Sequence, residues 1–174
     1  MSASSSDLAM ALEPWDQTSA TDIADIYQRY QHQEDFLPAL IRCSRREECE
    51  RGATWLIKHH CEKGGASFSD DDRHAFYRGV GRLVHWEAKL HVLQTMPAIA
   101  VPRTLRSDVK AFVLKSLADS NKLVIAWAYF ALALLADQFP EYREEALGVL
   151  ALAAPDYPSG AIAVRIRKAR ALLA

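Results

Sequence analysis

NKLVIAWAYFALALLADQF, residues 121–139, contains a run from Leu123 to Ala136 with no charged, amide or hydroxyl side chain except Tyr129. A helix that crosses a bilayer needs about 20 apolar residues. This run has 14, bounded by Lys122 and Asp137, the length of a buried helix in a soluble protein. At 100° per residue, Val124, Ala128, Ala131 and Leu135 make one face, with Ile125 and Leu132 beside it. Trp127, Phe130 and Leu134 make another flank, and Ala126, Tyr129 and Ala133 the remaining side. A helix apolar nearly all round must be covered on several sides. The run therefore predicts a central core helix, in which Ala131→Asp unfolds the protein.

The rest of the chain fits around such a core. Its 174 residues suit one domain. Half are hydrophobic, a quarter charged, and Gly and Pro number seven each, which excludes disordered and collagen-like classes. The net charge of −1 predicts no strong overall attraction to nucleic acid or an anionic membrane. The charge is unevenly spread: residues 1–50 hold four Lys/Arg against ten Asp/Glu, and the remainder sums to +5. Salt screens such a gradient within about 8–10 Å. Three cysteines, Cys43, Cys49 and Cys61, with no CxxC pair, predict reduced thiols and a cytoplasmic location. The opening MSASSSDLAMALEP lacks the basic region and apolar length of a signal peptide. Residues 1–17 are expected to form a flexible or partly ordered tail, frayed over 1–6, and 18–174 a single domain.

Strand alternation and Asn-Gly hairpins are missing, and helix formers abound. Helices are predicted at Thr18–Tyr30, capped by Thr18 or Ser19, and at about 35–44, with Phe36, Leu37, Leu40 and Ile41 inward. The next is Glu47–Lys63, stopped by Gly64-Gly65. Ser69 with Asp72 gives a capping-box start to a helix reaching about Leu83. Another runs from about Val84 to Met96, closed by Pro97, and one begins at Pro102 with Leu105, Val109, Phe112, Val113 and Leu117 on one stripe. After the core helix come one from Pro140 to about Ala153, a loop at Pro155-Asp156-Tyr157-Pro158, and a terminal helix capped by Ser159. The total is about nine.

A spacing recurs among them. Val124 is followed at +4, +7, +8 and +11 by Ala128, Ala131, Leu132 and Leu135. Ile162 leads in the same way to Ile166, Ala169 and Leu173, and Cys49 to Ala53, Leu56, Ile57 and His60. Val84 leads less well to Ala88, His91 and Val92. The starts lie 35, 40 and 38 residues apart, a period suited to helix pairs. With DSNKLVIAWAYFALALLA (119–136) as the clearest match and AIAVRIRKARALLA (161–174) as a closing helix, residues 49–174 resemble HEAT and armadillo repeats. Ile125 departs from the pattern, which usually has a basic residue there. The resemblance implies an all-α fold, a short α-solenoid of antiparallel helix pairs forming an α-α superhelix. Inner units of such a stack are covered on three sides. Arg165, Arg167, Lys168 and Arg170 would supply a polar outer face at its end.

Catalytic signatures are scarce. Cys43 and Cys49 are six apart, His59 and His60 point about 100° apart on a helix, and His85 and His91 are six apart, so none has metal-ligand spacing. Asp70-Asp71-Asp72 suits the N-terminal dipole of its helix. No HExxH, GxSxG, GxGxxG or P-loop occurs. Neither a cofactor nor a metal is expected.

Two basic stripes stand out. His74, Arg78 and Arg82 recur at i, i+4, i+8, and Arg103, Arg106 and Lys110 flank the apolar stripe of the next alternate helix. In a solenoid the two would share one surface, usually concave, although each also serves as the solvated face its helix needs. Trp86 and Trp127 fall on helices expected in the core, which favours packing over base stacking. The expected function is a non-enzymatic module holding a protein or peptide on a solenoid surface. The alternative is a nucleic-acid-binding HEAT-like protein, related at fold level to DNA-alkylation-repair glycosylases, with these stripes on phosphates. No membrane partner is expected.

Overall fold

The computed structural model describes residues 5–15, 19–65, 67–153 and 160–174. Among them are ten α-helices and no strand. They are α1 Ser5–Leu12, α2 Ala20–Tyr30, α3 Phe36–Cys43, α4 Glu50–Glu62 and α5 Asp70–Gly79, then α6 Trp86–Thr95, α7 Arg106–Ser116, α8 Lys122–Gln138, α9 Arg143–Leu152 and α10 Gly160–Leu172. Short 3-10 turns at Val80–Arg82, Arg103–Leu105 and Pro140–Tyr142 extend α5 and precede α7 and α9. No helix among the described residues is long and apolar enough to cross a membrane.

The apolar run Leu123–Ala136 lies within α8. Val124, Ala126, Ala128, Leu135 and all three residues Ala131–Ala133 are buried. Its neighbours α6, α7, α9 and α10 cover it from several sides, as its all-round apolarity requires. Leu123, at its first turn, is exposed. Asn121 caps the helix by accepting the Leu123 N–H at 2.9 Å. At the far end the Gln138 side chain clasps Val101, accepting its N–H at 3.1 Å and donating to its carbonyl at 2.7 Å.

Helix ends follow their local chemistry. Ser69 and Asp72 form a complete capping box on α5. Helix α4 stops at Gly64, whose φ of 67° favours a residue without Cβ. The N–H of Gly64 donates to Cys61 and that of Gly65 to His60, the paired bonds of a Schellman ending. Ser19 caps α2. Thr18, Ser159 and the loop at Pro155–Pro158 lie outside the described residues.

Several expectations are corrected. Within residues 1–17, where partial order but no helix is expected, lies helix α1, whose Leu8, Ala9 and Leu12 are buried and which packs on α2 and α3. This helix brings the count to ten instead of nine. Val84 does not lead a buried face: it is 55% exposed, because the chain is extended at Leu83 and His85 and α6 starts only at Trp86. Ala88 and Val92 remain buried behind it. Nor is the terminal basic set simply a solvated face. The guanidinium of Arg165 lies 3.6 Å over the Trp127 ring, and Arg170 donates to the Leu150 carbonyl at 2.6 Å. Burial lowers the Arg165 pKa.

Candidate functional site

The two basic stripes have different surroundings. Arg103, Arg106 and Lys110 face acids of the following helical segment. Arg106 Nε lies 3.1 Å and Arg103 Nη2 3.8 Å from Glu141 Oε1. Lys110 pairs with Glu145 at 2.5 Å and sits 4.6 Å over the Tyr142 ring. His74 is tied down too: its Nδ1 is 2.8 Å from the Asp70 carbonyl and its Nε2 3.0 Å from Thr104 Oγ1. That last bond links α5 to the turn before α7, so the two stripes do meet there. Arg78 and Arg82 are exposed, and neither has an ion-pair partner among the described residues.

Beside Arg82 opens a cavity of about 540 Å³. Val80 and Leu83 form one wall, Ala111 and Phe112 of α7 another. Its rim holds Lys89 with Asp119, 3.1 Å apart, together with Asp108 and Lys115. Burial works against the ionised Asp119, but hydrogen bonds from the Asn121 backbone and Lys89 outweigh it and hold its pKa low. The cavity thus joins an apolar floor to a rim of both charge signs.

A second cavity, of about 330 Å³, gathers three of the four tryptophans, Trp15, Trp55 and Trp86, with Arg51, Glu87 and His91. Trp86 is 39% exposed, contrary to the expectation of core packing, because it stands at the first position of α6. Trp127 behaves as expected and packs, half-buried, beneath Arg165.

The interior holds polar links that no sequence motif announced. Glu50, 2% exposed, accepts the N–H of Val84 at 2.9 Å and of His85 at 2.6 Å, with His85 Nδ1 at 2.8 Å. A carboxylate on α4 therefore caps α6, whose own first residues provide no side-chain cap. The Tyr27 hydroxyl meets His60 Nδ1 at 3.0 Å. Burial, followed by the nearby Cys61, raises the Tyr27 pKa. His59 stacks on Trp55 at 4.8 Å, and burial lowers its pKa.

The Cys43 and Cys49 side chains are buried and that of Cys61 is half-buried. Burial pushes Cys49 and Cys61 each up to about 11, which makes them poor nucleophiles at neutral pH. Among the described residues no three His, Cys, Asp or Glu side chains gather as a metal site. Comparison with family models, curated proteins and solved structures gives no match.

Proposed function

We propose that the chain is a non-enzymatic binding module, a short HEAT-like solenoid that holds a protein or peptide in the cavity between Val80–Leu83 and α7. Contacts of α4 with α6, α6 with α8 and α8 with α10 support the repeat reading. So do the polar links between elements. Glu50–His85, Thr54–His91, Val101–Gln138 and Lys110–Glu145 span 35, 37, 37 and 35 residues, as expected where each helix pair touches the next.

The observation that carries the binding reading is the 540 Å³ cavity with its apolar floor and its Lys89, Asp108, Lys115 and Asp119 rim. Apolar side chains of a partner would gain from burial there, while rim charges of both signs set register and exclude wrong partners. A polyanion is less well served. Glu145 already holds Lys110 at 2.5 Å and Glu141 lies 3.1 Å from Arg106, leaving Arg78, Arg82 and the more distant Arg103 as the basic residues of this surface open to a phosphate.

Peptides selected from a random display library against the folded protein test this directly. Gly81 lines the cavity, and a Cβ there would meet nothing within 4 Å, so Gly81→Arg fills the groove without disturbing the fold. Selected peptides should lose at least about tenfold in affinity on this variant and on Ala111→Arg. Peptides that bind both variants normally would refute the groove. Fluorescence anisotropy with duplex DNA and RNA should show weak binding or none at physiological salt. Tight binding with a steep salt slope that Arg78→Ala and Arg82→Ala flatten would establish the nucleic-acid reading instead.

A further inference from the structure

The tryptophan cavity is separate from that groove. Glu87 and His91 are four residues apart and share one face of α6, whereas Lys89, which lines the groove, lies between them in sequence and on the other side. Its three indoles are held differently. Trp15 is pinned: its Nε1–H donates to the Ser19 carbonyl at 2.9 Å, and its ring sits where Gly52 offers no Cβ, which would lie 3.3 Å away. Trp55 is braced on one face by His59. Trp86 stands open at 39% exposure. The Nε1–H groups of Trp55 and Trp86 have no acceptor among the described residues.

The polar groups are equally specific. Arg51 Nη1 is 3.8 Å from Glu87 Oε1, beyond hydrogen-bond range, so both keep bonding capacity. Thr54 gives its single hydroxyl proton to the Glu50 carbonyl at 2.7 Å. At the 3.0 Å contact with His91 Nδ1 the hydroxyl must therefore accept, and Nδ1 carries the ring proton. That leaves Nε2 of the neutral ring as an acceptor. The cavity presents broad apolar faces, unused N–H donors and a carboxylate.

We propose that this cavity binds a proline-rich peptide segment in the polyproline II conformation, flanked by a basic residue. Pyrrolidine rings have flat apolar faces that stack on indoles, as aromatic-lined grooves use elsewhere. Polyproline II has no internal hydrogen bonds, so its carbonyls are available to the indole N–H groups. Prolines bring no N–H and demand few acceptors in return. The stiff ligand also loses little entropy on docking. Glu87 takes the basic neighbour, and Arg51 a further carbonyl. A quaternary ammonium ligand, which aromatic cages also favour, has no acceptor to offer the indole N–H groups of Trp55 and Trp86. The inference rests on the binding-module reading but on a different cavity.

The test uses a short fluorescein-labelled peptide of prolines flanked by arginine, and a control with the prolines replaced by glycine and serine. Anisotropy should report binding of the proline peptide at least about tenfold tighter than the control, with a blue shift of tryptophan emission. Trp86→Ala, at an exposed position, should lose about tenfold or more with unchanged circular dichroism. Glu87→Gln should weaken the arginine-flanked peptide and spare an all-proline one. Equal binding of both peptides, no binding by the folded protein, or normal binding by Trp86→Ala would overturn the inference. Loss on Gly81→Arg with none on Trp86→Ala would place the peptide in the groove, which also overturns it while sparing the binding-module reading.

Discussion

Replacing Glu50 by alanine removes one carboxylate and strands three donors: the N–H groups of Val84 and His85 and the ring nitrogen of His85. Hydrogen bonds to a charged acceptor contribute roughly 1.5–3 kcal/mol each in net terms. The three are not additive, and the wild type already bears the cost of a buried charge. Breaking one partner of such a buried set typically costs about 3–5 kcal/mol, and we expect that range here, because α6 loses its only side-chain cap. For a chain of this length this corresponds to a fall in Tm of about 10 °C. Urea unfolding followed by far-UV circular dichroism measures it, as a lower midpoint at unchanged m-value. Glu50→Gln keeps an acceptor oxygen for the backbone and should cost only about 1–2 kcal/mol. A double-mutant cycle with His85→Ala isolates the ring contact. If Glu50→Ala costs less than about 1 kcal/mol, or if the glutamine and alanine variants are equal, the capping role is wrong.

Burial holds the His91 pKa down at about 4, below its ordinary 6.5. The unfolded chain therefore binds a proton first, and His91's contribution, of order 3 kcal/mol, is full above pH 6.5 and lost as pH falls to about 4. A His91→Gln variant should flatten the stability–pH curve across that window; an unchanged curve would refute the assignment. Gly64→Ala, at a φ of 67°, should cost about 1 kcal/mol by denaturant titration. Arg165→Ala removes the contact over Trp127 and should cost about 1–2 kcal/mol, with a red shift of Trp127 emission. Ala131→Asp puts an unpaired charge at a fully buried position of α8 and should leave no cooperative unfolding transition.

Much of the fold was legible because helix formation and burial periodicity are local. Ser19, the Ser69–Asp72 box and the Gly64 stop all act on backbone within three or four residues. The inward sets Phe36, Leu37, Leu40, Ile41 and Ile162, Ile166, Ala169, Leu173 are buried as their spacing predicts. Val84 misled because an apolar residue just before a helix is not bound by the helix's period. Helix α1 was hard to see because a short N-terminal segment owes its order to docking on α2 and α3.

The site was far less legible. A row of basic residues at helical spacing reads the same whether it faces solvent or an acid from the next segment, and the Arg106–Glu141 and Lys110–Glu145 pairs each span 35 residues. The tryptophan cavity draws Trp15, Trp55 and Trp86 from three separate stretches, with no motif between them.

By itself, then, the sequence determined an all-α fold and placed a central core helix at Leu123–Ala136, since chain-local sterics and apolar periodicity decide such features. Only the tertiary structure decided which charges are already neutralised, that Glu50 caps a helix it does not belong to, and that three indoles share one cavity. Those depend on distances between residues 30 or more positions apart, which packing sets and local spacing does not encode.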